Sequence, residues 1–552
     1  LTIQTDALHD AALAHITAKG QLLEVQTIER AWGEQLVFTN APPNLGSFFM
    51  LMLRHADKTF LVYGEERYTF GEVWARSNAL AAALQNRGVK KGDRVVIAMR
   101  NYPEWIFSFI AIALVGGIAV PLNAWWVGSE LLDAIDDAGA HLAIVDQERH
   151  ERLTSVGAVV DQIVVRGGEI GDSAVAYGDF VGDRSATPTA VEVDPDNDAT
   201  IFYTSGSTSY PKGAVSTHRA LTNAMFNFAA FGLAQQEVQK SISGEEPSTV
   251  QAVTLLTVPL FHVTGCHSTF MMSVLIGRKI VLLDKWDPER ALASIEKERV
   301  TTFMGVPTMS RDLTEHPDRD RYDISSLVEI NAGGAAMPPA HVRRLLERFP
   351  DKRPGTAYGT TESNGTGTLN VRDGYLAHPN SAGRAKKPLA ELAILNDEGQ
   401  VLPDGAVGEI AVRAVTLARG YWNRPDDTAA AFLKDGWFRT GDLGVLDNDY
   451  LTIVGRKKDM ILRGGENVSC QEVEACVFGA PDERLGESVH AVIYAKHPDR
   501  FDEEEHRALL AKSLAAFKLP TLITVLGEPL PRLGSGKIDK LTIKESYAKE
   551  AA

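Results

Sequence analysis

The residues best suited to chemistry lie in one short run, Tyr203-Thr204-Ser205-Gly206-Ser207-Thr208-Ser209-Tyr210-Pro211-Lys212-Gly213. Its small residues let successive backbone N–H groups converge on an anion, while the hydroxyls of Thr204, Ser205, Ser207, Thr208 and Ser209 add donors and Lys212 supplies a positive charge. That is the chemistry of holding a polyphosphate. Alone, the run is also compatible with a Ser/Thr/Gly linker, but the β-branched, apolar residues 199–203 just before it favour a loop hung from a strand. It is not a Walker A loop, which needs Gly-Lys followed by Ser or Thr, because here the order is Pro211-Lys212-Gly213. No G-x-S-x-G run occurs, so a serine-nucleophile elbow is not suggested.

The elements that must position this loop follow from periodicity. Residues 68–146 alternate between amphipathic helical stretches and short β-branched runs: a helix over 69–87, a strand beginning at Arg94, then a helix containing Trp105. Strands are expected at 199–203, 255–258 and 279–283, with a helix at 288–299, so the fold class is α/β with layered sheets and helices. Beyond Pro388 the runs shorten and close on Gly and Asp, at 392–395, 408–413 and 450–454, which predicts a β-rich subdomain. The polar link Gly455-Arg456-Lys457-Lys458-Asp459 marks a domain boundary, giving a large N-terminal domain at 1–455 and a small α/β lid at 456–552. Residues 105–122 are nearly apolar, but Gly116, Gly117 and Pro121 break them into a buried helix and a short strand rather than a membrane span.

Bulk properties exclude some functions. A net charge of -16 over 552 residues disfavours a nucleic-acid partner, whose binding depends on Lys and Arg releasing counterions. Cys266, Cys470 and Cys476 show no C-x-x-C spacing and cannot build a four-ligand zinc site or a disulfide framework, which fits a reducing cytoplasm. The first residues lack the basic start and apolar core of a secretory signal, and no transmembrane segment is expected. Composition does not fix the oligomeric state, for which a homodimer is the commonest arrangement.

Six further motifs follow in order: Pro259-Leu260-Phe261-His262, Gly333-Gly334-Ala335-Ala336, Tyr358-Gly359-Thr360-Thr361-Glu362, Phe438-Arg439-Thr440-Gly441-Asp442, Gly455-Arg456-Lys457-Lys458-Asp459 and Gly534-Ser535-Gly536-Lys537. Each is weak by itself. Together with the loop they resemble, over nearly the whole chain, the adenylate-forming superfamily of acyl-CoA synthetases, luciferases and peptide-synthetase adenylation domains.

The resemblance implies an ATP-dependent acid–CoA ligase that makes an acyl adenylate and pyrophosphate, then passes the acyl group to coenzyme A. It assigns ATP phosphates to Thr204, Ser205, Gly206, Ser207, Thr208, Lys212 and the Thr360 hydroxyl, and adenine and its surroundings to Gly334, Ala335, Thr356, Ala357, Tyr358 and Gly359. Thr361 reaches phosphate, and Glu362 holds magnesium, a hard cation that favours carboxylate and phosphate oxygens together. Asp442 takes the ribose hydroxyls as an ionised acceptor, assisted by Arg456. Lys537 offsets the repulsion between carboxylate and α-phosphate, while Lys458 is the hinge on which the lid turns. Gly464 and Gly465 line a tunnel for the coenzyme A thiol, and His262 is a gate at the acyl pocket.

Two departures stand out. Ser207 and Ser209 replace the family's usual Thr and Gly, and the sequence is shorter after Ala475, where relatives run through a longer helix and loop, either because one lid helix is trimmed or because a loop is missing from this sequence. Pocket candidates His262, Val306, Met309, Gly333 and Gly365 predict a hydrophobic aliphatic or aromatic acid, with no basic residue in these segments awaiting a second carboxylate. No Asp after His262 pairs with an amino group, which disfavours amino acids. The alternatives are an adenylation enzyme loading a carrier-protein thiol and a non-catalytic nucleotide- or acyl-binding protein.

Overall fold

The computed structural model describes residues 2–30, 32–168, 170–171, 174–204, 211–244, 246, 248–333, 339–457, 460–463, 466–469, 476–482, 486–495, 498, 501–511, 519–531 and 538–547. The chain divides into two compact units, one of Leu1–Leu392 and Val412–Phe438, the other of Ala393–Ala411 and Arg439–Ala552.

Two large sheets organise the first unit. One has eight strands in the order Gly420–Tyr421, Lys212–Thr217, Asp198–Thr204, Ile118–Pro121, Arg94–Ala98, Leu142–Asp146, Asp161–Val165 and Ala174–Ala176. Its strands from Asp198–Thr204 onward are parallel, and the two at the other edge pair antiparallel. The parallel strands are buried along most of their length, as in Arg94–Ala98 and Leu142–Asp146, because helices cover both faces. The second sheet has nine strands in the order Arg384–Ala385, Thr368–Val371, Arg353–Tyr358, Glu329–Gly333, Thr302–Gly305, Val253–Leu256, Lys279–Leu282, Thr59–Tyr63 and Glu66–Thr69.

Local chemistry explains the elements. The predicted helix at 69–87 forms as Phe70–Asn86, started by a capping box in which Thr69 and Glu72 satisfy each other's backbone N–H groups. The apolar stretch from Trp105 becomes the buried helix Pro103–Leu114, then turns at Gly116 with φ +69 into the strand Ile118–Pro121. Among the described residues no helix is long and apolar enough to cross a membrane. The predicted helix at 288–299 ends at Glu298, with Arg299 as a left-handed cap. The strand expected at 255–258 is instead Val253–Leu256: it starts earlier because Val253 pairs with Lys279, and it ends before Pro259 can interrupt the ladder.

In the second unit, the strands Glu391–Leu395, Val407–Arg413, Phe438–Asp447 and Tyr450–Arg456, whose outermost residues belong to the first unit, form a four-stranded sheet. Farther along, Met460–Arg463, Glu466–Ser469, Cys476–Asp482, Gly486–Tyr494 and Leu522–Leu526 make a five-stranded sheet, accompanied by the helices Glu503–Leu510 and Lys540–Tyr547. Between Ser469 and Cys476 the sequence has room for no more than residues 470–475.

Candidate active site

The phosphate-loop strand Asp198–Thr204 ends on Thr204, whose neighbour in the antiparallel ladder is Lys212. Thr204 Oγ1 donates to the Lys212 carbonyl at 3.3 Å, so strand pairing fixes both ends of the loop. Residues 205–210, including the predicted Ser205, Gly206, Ser207 and Thr208, lie outside the described residues. The Lys212 ammonium pairs with Asp427 and lies 5.4 Å from the centre of the Tyr421 ring.

Tyr421 also donates its hydroxyl hydrogen bond to Glu362 Oε1 at 2.8 Å. Burial, then the charge of Glu362, push the Tyr421 phenol well above its ordinary pKa, so it remains a neutral donor to that carboxylate. The Glu362 carbonyl accepts from Ala418 N at 2.7 Å, which anchors its backbone beside the same segment. Lys212 and Glu362 are thus brought together around one tyrosine.

The segment at 420–428 was missed by sequence reasoning. Its strand Gly420–Tyr421 pairs with Ala214 and Val215, and Trp422 N donates to the Gly213 carbonyl at 2.8 Å. Gly420 has φ +148, and a Cβ there would stand 2.5 Å from Thr428 Cγ2, so only glycine permits this close approach. Thr428 Oγ1 in turn accepts from Tyr421 N at 2.9 Å. The readable signal was Pro425 opening a short helix with Asp426 and Asp427 in its first turn.

The second sheet delivers the remaining nucleotide candidates. Thr356, Ala357 and Tyr358 end the strand Arg353–Tyr358, with Thr356 opposite Ala332 and Ala357 opposite Gly333. Gly359 passes so close to Gly365 that a Cβ would meet its backbone at 2.8 Å, and a Cβ on Gly367 would meet the Tyr358 carbonyl at 2.4 Å. Thr360 and Ser363 exchange side-chain hydrogen bonds with each other's backbone N–H at 3.1 and 3.2 Å, shaping the turn that presents Thr361 and Glu362. Asn364 closes this turn at φ 53, and its Oδ1 accepts from Ser216 Oγ at 3.0 Å. Ser216 belongs to the strand opened by Lys212, so that bond ties the two sheets together at the site.

His262 follows the tight loop after Val253–Leu256. Asn101 holds this loop: its Oδ1 accepts from Leu260 N at 2.9 Å and its Nδ2 donates to the Val258 and Leu283 carbonyls at 3.1 Å. His262 packs on Phe261, with ring centres 4.7 Å apart, and its carbonyl starts the next turn by accepting from Cys266 N. His267, in contrast, is a core residue, edge-on to Phe202 and held neutral because burial lowers its pKa to about 4. Val306 caps the helix Pro307–Glu315, and Met309 Sδ accepts from Thr257 at 3.4 Å.

A basic side chain from outside the pocket-candidate segments reaches one of them. Lys386, from the stretch after the strand Arg384–Ala385, places its ammonium 2.8 Å from the Gly365 carbonyl. Sequence proximity gave no hint of it, since Lys386 and Gly365 are separated by 21 residues and meet only through the fold.

In the second unit, Asp442 lies directly opposite Arg456 in the antiparallel pairing of Phe438–Asp447 with Tyr450–Arg456. Buried Glu409 accepts from Arg439 at 2.6 Å, from Gly441 N at 3.0 Å and from Lys457 at 3.3 Å, which fixes the bend at Gly441 that precedes Asp442. Gly334, Ala335, Lys458, Gly464, Gly465 and Lys537 lie outside the described residues.

Among the described residues no group of three His, Cys, Asp or Glu side chains could hold a metal. Glu362 alone fits a cation that takes most of its oxygens from substrate phosphates and water, as magnesium does.

Comparison with known proteins places the chain in a family. The AMP-binding enzyme family matches residues 51–422, and the AMP-binding enzyme C-terminal domain matches residues 468–537. A feruloyl-CoA synthase from an Amycolatopsis species is 33% identical over 501 residues, covering 89% of this chain and 96% of that protein. The long-chain-fatty-acid–CoA ligase FadD13 of Mycobacterium tuberculosis is 31% identical, covering 87% and 93%. The crystal structure of ATP-bound MatB from Rhodopseudomonas palustris superposes with a TM-score of 0.79 at 26% identity, covering 92% of this chain and 100% of that one. The chain belongs to the AMP-binding enzyme family.

Proposed function

We propose that the protein is an ATP-dependent, AMP-forming acid–CoA ligase acting on an aryl or fatty acid. In the first half-reaction a carboxylate oxygen of the acid forms a bond to the α-phosphorus of ATP, and the bond from that phosphorus to pyrophosphate breaks. In the second, the coenzyme A sulfur, having given up its proton, attacks the acyl carbon, and AMP leaves with the bridging oxygen.

In this reading Thr204 to Thr208 and Lys212 hold the phosphates, with Lys212 exchanging Asp427 for the ligand. Glu362 holds magnesium, which supplies charge neutralisation on the phosphates, and Tyr421 keeps the carboxylate oriented by its hydrogen bond. Tyr358, with Thr356, Ala357, Gly359, Gly334 and Ala335, lies along adenine, and Thr360 and Thr361 contribute hydroxyls at the phosphates. Asp442 and Arg456, opposite each other in the strand pair, serve the ribose. Lys537 acts in the first half-reaction, the lid at 456–552 then turns at Lys458, and Gly464 and Gly465 line the thiol tunnel. His262 gates the acyl pocket. A cytoplasmic location suits buried Cys266, which is a free thiol.

The observation that carries the reading is the meeting of Lys212 and Glu362 around Tyr421, at the end of the phosphate-loop strand. The test is product analysis with a panel of aryl and fatty acids. Pyrophosphate and AMP are expected in equal amounts with acyl-CoA; ADP, or no nucleotide turnover with any acid, would refute the reading.

A further inference from the structure

Two of the glycines expected to line the acyl pocket, Gly333 and Gly365, have informative neighbours. Among the described residues a Cβ on Gly333 would meet the Thr264 methyl at 3.7 Å and nothing nearer. One on Gly365, where φ is +74, would meet only Phe228 Cζ at 3.5 Å and Ser268 Oγ at 3.8 Å. Among the described residues neither glycine is crowded, since a Cβ on either would make ordinary contacts, and Phe228 and Ser268 are the groups that face Gly365.

Lys386 lies beside Gly365 and Phe228. Its side chain is buried, its Nζ donates to the Gly365 carbonyl at 2.8 Å, and it stands 4.5 Å from the centre of the same Phe228 ring. Its backbone is pinned on both sides: Asn227 Nδ2 donates to the Lys386 carbonyl at 2.7 Å, and Lys386 N donates to the Gly367 carbonyl at 2.8 Å. Moving the ammonium to water would break its bond to the Gly365 carbonyl and its contact with the Phe228 ring.

An ammonium has three donors, and here one carbonyl and one aromatic face engage it. Among the described residues no carboxylate pairs with it. Burying a cation without a counter-ion is expensive, and the cost shows as a pKa pushed down by burial to about 7. A leucine or methionine would fill an apolar pocket end without that cost. The expense is offset if the ligand brings the missing acceptor.

Resting on the acid–CoA ligase reading, we propose that Lys386, assisted by Ser268, binds an acceptor oxygen at the end of the acid remote from its reacting carboxylate. The preferred substrates are then oxygenated acids, bearing a hydroxyl, ether or second carboxylate, rather than bare hydrocarbon acids of the same length. A site that hydrogen-bonds a substrate oxygen rejects the analogue lacking it, because its own buried donor is left unpaired.

The test compares acids in matched pairs: 3-phenylpropenoic acid with its ring-hydroxylated derivative, and octanoic with octanedioic acid. Pyrophosphate release is measured for the wild type, Lys386→Met and Ser268→Ala, with thermal unfolding as the check on folding. The wild type is expected to prefer an oxygenated member by ~10-fold or more in kcat/KM, chiefly through KM. Lys386→Met should bring that ratio close to one, and Ser268→Ala should lower it partway. A wild-type ratio at or below one in every pair overturns the proposal, as does a Lys386→Met variant that lowers both members alike. If Lys386→Met does not fold, the wild-type and Ser268→Ala ratios still decide. Pyrophosphate release from the unsubstituted members alone refutes only the role of Lys386, whereas no release with any acid removes the ligase reading as well.

Discussion

The two ends of the substrate path treat charge in opposite ways. At the phosphate end, Lys212 is paired with Asp427 and Glu362 is hydrogen-bonded by Tyr421, so each group already has a partner that a ligand can displace or use. At the proposed acyl end, Lys386 is buried against Phe228 and, among the described residues, donates only to a backbone carbonyl. The phosphate end meets a ligand of fixed chemistry and keeps its charges soluble and exchangeable. The acyl end meets whichever acid the enzyme selects, and on the proposal above the buried Lys386 amine there discriminates among acids by whether they bring an acceptor oxygen.

The largest effect should come from breaking the phosphate end. Glu362→Ala is expected to slow acyl-adenylate formation by roughly 10²- to 10³-fold, the range for removing one preorganised charge from a reacting centre. Pyrophosphate exchange measures it directly, and a loss under threefold would separate Glu362 from the chemistry.

Backbone geometry ranks next. Gly420→Ala forces a side chain onto Thr428 at a φ that favours glycine, so a loss of about 1–3 kcal/mol of stability is expected. Denaturant unfolding checks it, and an unchanged midpoint would show that the 420–428 segment yields without cost.

The acyl end has its own signature in pH. The pKa of Lys386 is about 7 in the folded chain and near 10.5 when unfolded, so between those values the unfolded state binds more protons. The lysine's destabilising contribution is therefore complete below about pH 7 and fades as pH rises toward 10.5. Lys386→Met should raise the melting temperature by about 2–4 °C at pH 6.5, with a smaller difference at pH 9.5. A difference that does not change with pH would mean Lys386 is not desolvated.

The smallest effect sharpens the contrast. Asp427→Asn frees Lys212 from a partly exposed ion pair, worth less than about 1 kcal/mol. A two- to fivefold lower KM for ATP is expected; an unchanged or higher value would make Asp427 a positioning group rather than a competitor.

How much of this was legible in the sequence depended on how local each feature is. The phosphate loop was readable because a strand, a run of hydroxyls and a lysine are contiguous, and strand pairing then puts Thr204 beside Lys212. Asp442 and Arg456, expected to serve one ribose, are neighbours across an antiparallel strand pair, a placement that 14 residues of sequence separation leave open. The Tyr421 segment escaped notice because Gly-Tyr-Trp-Asn reads as an ordinary turn until a sheet edge carries it to Lys212 and Glu362. Lys386 escaped for a stronger reason: beside Lys387 and Pro388 it reads as part of a solvated basic pair, and only the packing of Phe228 and Gly365 takes it out of water. Burial of a charge is a tertiary property that no short window encodes.

The central claim, that the acid's own oxygen attacks the α-phosphorus, is tested most directly by isotope transfer. With an acid labelled with ¹⁸O in its carboxylate, turnover in the presence of coenzyme A should deliver one labelled oxygen into AMP for each acyl-CoA formed. Label found in inorganic phosphate, or unlabelled AMP accompanying acyl-CoA, would contradict it.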